Sequence, residues 1–222
     1  MNRMNQGDQD MGIFDRDKFG IQQRHRRLLS AQEAYHVKDV DTDQDLLWIK
    51  RDRFGRKTHM HVFPGDPKSA PEIMTIKDLS SFDAWANFDI LDNETNQNLG
   101  RAKRNFWSSI FRENWTIWDG SGKAVGKVKA RSLLISLIRN TRWLFGWIPV
   151  IGWLVEGFAW LIRLQFDIYF IKEDEEVKVG EFNRRMTIGD KYILDMTADS
   201  EGIFNRKFAV ALAVLLDSAE QR

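Results

Sequence analysis

Apolar and polar residues alternate with a period of two along most of the chain from residue 30 onward. The alternating segments are short, rich in β-branched and aromatic residues, and separated by turns of Asp, Asn, Gly and Pro. This pattern is typical of β-strands joined as hairpins. Residues 1–29 are polar and lack a sustained period. We therefore predict a flexible N-terminal arm over residues 1–29 and a single domain over residues 30–222.

A hairpin unit recurs along the domain. Its first strand carries an aromatic residue, then Ile or Val, then Asp, at alternate positions, and most of its second strands carry a glycine at a fixed offset. The first strands are 35–39, 88–92, 115–119 and a degenerate copy at 166–170, and the glycines are Gly100, Gly126 and Gly180. A further hairpin at 59–63 and 72–77 fills the gap between the first two copies. With a strand at 191–196 and an extended piece near Ile203, the count is about twelve strands, and such a sheet must curl or close.

An apolar run at Phe208 to Leu216 is built largely from Ala, Val and Leu, and this composition favours a helix. Nine residues fall well short of the roughly 20 that span a bilayer. A helix that is apolar on all sides must be buried. We predict a mainly β fold, a closed antiparallel barrel of about twelve strands around this buried hydrophobic C-terminal helix. The alternative, a helix packed on one face of an open sheet, requires a polar stripe that the run lacks.

The segment at about 133–163 does not fit the hairpin repeat. Its twenty residues from Trp143 to Ile162 are broken only by Glu156, Pro149 and several glycines, which is long enough to span a bilayer. The strands on either side of it belong to one barrel, so any crossings must be even in number, and two crossings need about 40 apolar residues. We therefore predict an inserted apolar helical hairpin that is re-entrant or lies in the membrane interface.

This hairpin and the basic residues around it predict an anionic membrane lipid as the partner. Tryptophans suit the headgroup level of a bilayer, and Arg and Lys attract anionic headgroups. The candidate lipid-binding residues are Lys127, Lys129, Arg131, Arg139, Arg142, Trp143, Trp147, Trp153, Trp160 and Arg163. A homo-oligomer interface through residues 143–162 and packing on the protein's own barrel remain alternatives, since a large apolar patch suits each.

Basic residues also alternate along the sister strand, at Arg101 and Lys103. If this strand and the strand of Lys127 and Lys129 pair as neighbours, their outward side chains form one cationic patch that could bind phosphate headgroups. The alternative is an ordinary charged outer face of a barrel exposed to water.

Composition excludes several other functions. With 33 Lys and Arg against 32 Asp and Glu, the chain has no overall field, and no nucleic-acid partner is expected. The absence of cysteine excludes thiolate metal sites and thiol nucleophiles. His59 and His61 could form half of a metal site, but the sequence indicates no further ligands, so no metal or cofactor is predicted. No phosphate-binding loop or nucleophile elbow appears, and we expect the protein not to be an enzyme. Without a secretory signal, we expect a cytoplasmic, peripherally membrane-associated protein.

Three motifs together resemble the LURP-one-related proteins of the tubby C-terminal-like superfamily, a group that also includes phospholipid scramblases. They are LDNETNQNLGRAKR at 91–104, WTIWDGSGKAVGKVK at 115–129, and the final segment from 192 to 222. The resemblance covers roughly residues 30–222 and implies a twelve-stranded barrel around a central helix. It also implies membrane or phosphoinositide association, or calcium-dependent lipid scrambling. No motif here matches the lipid-binding residues of tubby-like members, and the segment at 133–163 departs from the family.

Together these observations predict a non-enzymatic, membrane-associated β-barrel protein. We expect it to bind anionic phospholipid through the Trp-rich hairpin and the adjacent basic residues, with a scramblase-like activity as a special case. The alternative is a soluble scaffold or interaction protein whose apolar hairpin forms a homo-oligomer or partner interface.

Overall fold

The computed structural model describes residues 12–24, 34–52, 59–80, 86–105, 114–131, 165–185 and 191–220. Residues 12–14 are helical, and twelve strands and a second helix follow them. The elements are β1 (Lys18–Arg24), β2 (Ala34–Asp39), β3 (Asp45–Arg51), β4 (Met60–Phe63), β5 (Met74–Asp78), β6 (Asn87–Asp92), β7 (Gln97–Arg104), β8 (Asn114–Asp119), β9 (Ala124–Ala130), β10 (Gln165–Lys172), β11 (Glu175–Arg185), β12 (Lys191–Asp195) and α1 (Arg206–Glu220).

The strands form a closed antiparallel barrel in which each strand pairs with its neighbours in the chain. The ring is completed by β1, which pairs with β2 on one side and with β12 on the other. Closure leaves none of the described strands at an edge that another chain could extend. The prediction of a mainly β fold with a closed antiparallel barrel of about twelve strands is confirmed.

The closing strand β1 lies where the sequence predicted a flexible arm, so that prediction is wrong for residues 18–24. Phe19 and Ile21 are buried, and they pair with residues of β12 and β2. Their alternation was missed because it covers only two apolar positions among glycine and glutamines. The predicted extended piece near Ile203 is not a strand either. It lies in the turn before α1, where the N–H of Ile203 donates a hydrogen bond to Asp199 Oδ1. The strand count is right, but the twelfth strand comes from the start of the chain.

The Asp that ends the repeated first strand caps the turn that follows it. Asp39 Oδ1 accepts hydrogen bonds from the N–H groups of the residues two and three positions later. Asp92, Asp119 and Asp195 accept equivalent bonds from the turns that follow their strands. An Asp side chain that bonds the backbone two residues on mimics a turn, so the last position of the motif has a direct structural role.

The repeated glycines lie where the hairpins are irregular and tightly packed. Beside Gly100, Gly126 and Gly180 the strand pairing shifts register, as at a β-bulge. A Cβ on Gly100 would meet the carbonyl oxygen of Trp118, and would lie 2.9 Å from the ring of Phe208. A Cβ on Gly126 would lie 2.7 Å from a carbonyl oxygen of β10. The glycines therefore allow backbones to approach where a side chain has no room.

Helix α1 and the inward side chains of the strands form one hydrophobic cluster. Every residue of α1 from Phe208 to Ser218 is buried, and the helix contacts β1, β7 and β12. Its first turn is fixed by ion pairs, in which Arg206 lies 2.6 Å from Asp199 and Lys207 lies 3.0 Å from Asp92. The apolar C-terminal run is thus a helix without an exposed face between these residues.

Candidate functional site

Only three of the ten predicted lipid-binding residues lie in the described part of the chain. Lys127 and Lys129 alternate along β9 with the buried Val128 and Ala130, so both lysines face outward, and Arg131 follows the strand. The other seven lie outside the described residues, and they are Arg139, Arg142, Trp143, Trp147, Trp153, Trp160 and Arg163.

The basic residues of β7 and β9 share one outer face, although these strands are not direct neighbours, the condition under which the sequence predicted a single patch. Strand β8 lies between them. Lys103 pairs with Thr116 on β8, and Thr116 pairs with Lys127. The two lysines therefore face each other across one strand, with backbones about 10 Å apart at ordinary strand spacing. We call the outward side chains of Arg101, Lys103, Lys127 and Lys129 the cationic face.

A groove with a volume of about 470 Å³ opens on the β7 side of the cationic face. It is lined by β6, β7, β8 and the turn that follows Asp119, and Trp118 forms part of its wall. We call it the β7 groove. Lys103 lines it and has neither an ion pair nor a hydrogen bond from its side chain to any residue of the described ranges. The groove thus contains an ammonium group that pairs with no carboxylate of the described ranges.

The second cation of the β7 groove, Arg101, has a fixed carboxylate partner. Its Nε lies 2.6 Å from Asp89 Oδ1 and its terminal nitrogen 3.2 Å from Asp89 Oδ2, a two-point contact. These hydrogen bonds raise the pKa of Arg101. Asp119, at the end of the groove, is occupied by its own turn, and hydrogen bonds from Ser121 and Lys123 lower its pKa. Of the charged residues that line the groove, two cations and two carboxylates, Lys103 is the one whose side chain has no fixed partner in the described ranges.

The lysines of β9, by contrast, share one carboxylate. Lys127 Nζ lies 2.9 Å from Glu176 of β11, and Lys129 Nζ contacts the other oxygen of the same carboxylate. Hydrogen bonds from Lys129 and Lys127 lower the pKa of Glu176. The Lys129 ammonium also lies 5.1 Å from the ring centroid of Tyr169, within the range of a cation–π contact.

Arg131 is held by two further carboxylates. It lies 2.6 Å from Asp167 and 2.8 Å from Glu181, and Lys178 contacts both of these acids. Hydrogen bonds from Lys178, Asn183 and Arg131 lower the pKa of Glu181 to about 2. These four side chains thus form one charge network, and the Glu176 pairs lie on the same three strands.

Sequence reasoning missed the carboxylate partners of Lys127, Lys129 and Arg131. They lie on β10 and β11, beyond the long segment that follows residue 131. The sequence did contain a partial signal for two of them. Asp167 and Glu181 each lie next to a buried phenylalanine, Phe166 and Phe182, and the pairing of β10 with β11 places the two acids side by side. A count of cations along one strand says nothing about the strand two places away.

The ends of the segment 132–164 meet at one point of the barrel. The N–H of Arg131 donates to the carbonyl oxygen of Gln165 at 2.8 Å, and β9 pairs with β10 up to Ala130 and Phe166. The chain therefore leaves and re-enters the barrel at adjacent positions, beside Arg131. The predicted helical hairpin itself lies outside the described residues. Among the helices in the described part of the chain, none is long and apolar enough to cross a membrane.

His61 lies between two carboxylates that the sequence did not reveal. Its Nδ1 is 3.0 Å from Glu72 and its Nε2 is 3.0 Å from Asp52. Burial lowers the pKa of His61, but the hydrogen bonds to Glu72 and Asp52 outweigh it and raise that pKa overall. Both ring nitrogens are therefore engaged in an ionic contact that ties β4 to its flanking loops. Within the described ranges, no group of three or more His, Asp or Glu side chains is arranged to hold a metal ion.

Comparison with known proteins assigns the chain to no family. The chain matches none of the family models and none of the curated proteins with which it was compared. The candidate site therefore rests on its own geometry: the β7 groove with Lys103, the cationic face beside it, and the adjacent exit point of the segment 132–164.

Proposed function

We propose that this protein is a peripheral membrane protein whose barrel lies against an anionic bilayer and binds phospholipid headgroups through the cationic face. The observation that carries this proposal is Lys103, an ammonium group without a described partner in the β7 groove. Within the described ranges, the other three cations of the cationic face pair with two carboxylates, Asp89 and Glu176, and Asp119 adds a third negative charge at the end of the groove. A Lys near an anionic surface contributes about 1 kcal/mol to binding.

The shape of the β7 groove is compatible with a headgroup. Its volume of about 470 Å³ falls in the usual range for sites that hold small ligands or parts of larger ones. Trp118 in its wall and Tyr169 beside Lys129 are amphipathic rings of the kind enriched at the level of lipid headgroups. Cations and aromatic rings are therefore combined on one outer surface, as a membrane interface requires.

The segment 132–164 supplies the apolar part of the proposed contact. It leaves the barrel beside Arg131, next to the cationic face, and contains the tryptophans 143, 147, 153 and 160. We propose that it forms an apolar hairpin inserted shallowly in the bilayer, with Arg139, Arg142 and Arg163 at the anionic headgroups. Transfer of lipid between leaflets would be a special case of this contact.

We also infer that α1 runs inside the barrel. The helix contacts β1 and β12, and also β7, which lies six places from β1 in the ring of twelve strands. A helix that touches opposite walls and is buried from Phe208 to Ser218 fits best along the barrel axis. A lumen filled in this way leaves no space for a substrate, and this favours a binding function on the outer surface over catalysis.

The test is co-sedimentation with vesicles of phosphatidylcholine alone and of phosphatidylcholine with phosphatidylserine, at low salt. The full chain is compared with a version in which residues 133–163 are replaced by a short Asn-Gly turn, since the adjacent ends permit this. We expect the full chain to sediment with the anionic vesicles only, and the shortened chain to bind them more weakly. A full chain that stays in the supernatant with both vesicles would overturn the proposal.

The same two proteins test the alternative of a soluble scaffold. If residues 143–162 form a homo-oligomer interface, the full chain elutes from a sizing column as an oligomer without lipid, and the shortened chain elutes as a monomer. That result, combined with no vesicle binding, would replace the membrane proposal by the scaffold function.

A further inference from the structure

Two lysines of the cationic face are occupied by a carboxylate of the same chain. Glu176 lies on β11, and it reaches across β10 to contact Lys127 with one oxygen and Lys129 with the other. A carboxylate between two ammonium groups, with the Tyr169 ring beside one of them, resembles the contacts that an anionic headgroup would make there. Both lysines therefore already have an anionic partner before any lipid arrives.

We propose that Glu176 is a built-in competitor of anionic headgroups for Lys127 and Lys129, and that it weakens the attachment of the protein to anionic bilayers. This inference rests on the proposed function. A headgroup can bind either lysine only after the ion pair between that lysine and Glu176 has broken. A bilayer with many anionic lipids displaces the carboxylate by mass action, and a bilayer with few does not.

The ion pairs of Glu176 are exposed to solvent and weak enough for a lipid headgroup to replace the carboxylate. The Lys127 side chain is 43% exposed and that of Glu176 is 30% exposed. Ion pairs of this exposure are weak, at most about fivefold in an equilibrium constant each, because water and salt screen them. The competition therefore lowers the affinity of the protein for anionic bilayers, but headgroups can still reach Lys127 and Lys129. Lys103, which has no such competitor in the described part of the chain, stays open.

The neighbouring residue provides a matched control. Glu175 precedes Glu176 on β11, is exposed, and its side chain has no ion pair or hydrogen bond to the described residues. Glu175→Gln and Glu176→Gln change the net charge equally, at adjacent positions. Any general gain in attraction to an anionic surface appears in both variants, and only Glu176→Gln also releases the two lysines.

The experiment measures binding of the full chain to vesicles of phosphatidylcholine with a graded content of phosphatidylserine. We expect Glu176→Gln to bind about three- to tenfold more tightly than the wild type at low phosphatidylserine content, and Glu175→Gln to gain far less. Adding Lys129→Gln to Glu176→Gln should remove about half of the gain, because Lys127 stays released. Unchanged circular dichroism and thermal unfolding check that each variant is folded.

The two hypotheses fail in different ways. If the wild type binds and Glu176→Gln gains no more than Glu175→Gln, the competitor inference is wrong while the proposed function stands. If neither the wild type nor Glu176→Gln binds anionic vesicles, the proposed function fails, and the inference that rests on it is overturned as well.

Discussion

The inner and outer faces of strands β7–β9 differ in how firmly each residue is determined. Facing inward, Ala102, Trp115, Ile117 and Val128 are buried in the hydrophobic cluster that includes α1. Facing outward, the same strands carry the cationic face, whose lysines are partly exposed and make few contacts. On the inner face, the space available limits which side chain fits at each position. On the outer face, the effect of each lysine depends on the charged groups around it.

This difference predicts where substitutions affect folding and where they affect binding. A buried position without free volume responds to a single methyl group, because cores are packed as densely as organic crystals. An exposed lysine can be replaced at little cost to stability, because surface substitutions away from special features change it by less than about 0.5 kcal/mol.

The largest effect is expected for Gly100→Ala on the inner side. The added methyl group would meet the carbonyl oxygen of Trp118 and the Phe208 ring, and the backbone φ of +147° disfavours an L side chain. We expect a loss of about 2–4 kcal/mol in the free energy of unfolding, measured by urea denaturation. Gly122→Ala is the control, since its φ is also positive but nothing lies within 4 Å of the added atom. Equal losses in both variants would show that packing against α1 does not fix Gly100.

Lys103→Gln should leave the fold intact and weaken vesicle binding. Its ammonium has no partner in the described ranges, so its removal costs no ion pair and takes about 1 kcal/mol from the attraction to anionic lipid. We expect about fivefold weaker binding to phosphatidylserine-containing vesicles in co-sedimentation. Lys68→Gln, at an exposed position in the loop between β4 and β5, is the control for loss of charge away from the groove. A decrease that is the same for both variants would contradict a specific role for the β7 groove.

Lys127→Gln should weaken vesicle binding less than Lys103→Gln does. Lys127 shares the Glu176 carboxylate with Lys129, so part of its charge is already balanced within the protein, whereas the charge of Lys103 has no partner in the described ranges. We expect a decrease of about twofold or less, within the small range of exposed ion pairs. The comparison is made in the same vesicle series. A larger decrease for Lys127→Gln than for Lys103→Gln would reverse the proposed order of open and occupied cations.

A pH dependence of stability is expected from Glu181. Hydrogen bonds from Lys178, Asn183 and Arg131 lower its pKa from 4.5 to about 2. A carboxyl group with a lowered pKa stabilises the fold above its unfolded pKa, and this contribution is lost as the pH falls from about 4.5 to about 2. Because the side chain is one-third exposed, the contribution should stay below about 1 kcal/mol.

Glu181→Gln should therefore flatten the stability profile in that acidic window and change little above it. Urea denaturation at several pH values, with Glu175→Gln as the matched control, measures the difference. A profile for Glu181→Gln that runs parallel to that of the wild type through the window would contradict the assignment.

Most of the inner face could be predicted from the sequence, and most of the outer face could not. Alternation along β7–β9 and the apolar run at 208–216 identified buried positions because burial follows from each residue's own chemistry. Strand β1 was not predicted, because its alternation of apolar and polar residues is too short to recognise. Its pairing with β2 and β12 nevertheless closes the barrel. The lysines 127 and 129 were correctly placed outward, yet their partner Glu176 depends on a contact across three strands.

The pairing of β1 with β12 also sets an order of events during synthesis of the protein on the ribosome. Strands β2 to β11 each pair with their neighbours in the chain, so those hairpins can form as the chain emerges. The last ladder joins residues near 20 to residues near 193, and α1 follows later still. Until translation has passed that point, both edges of the growing sheet are unpaired, and they are open to chaperones or to other nascent chains.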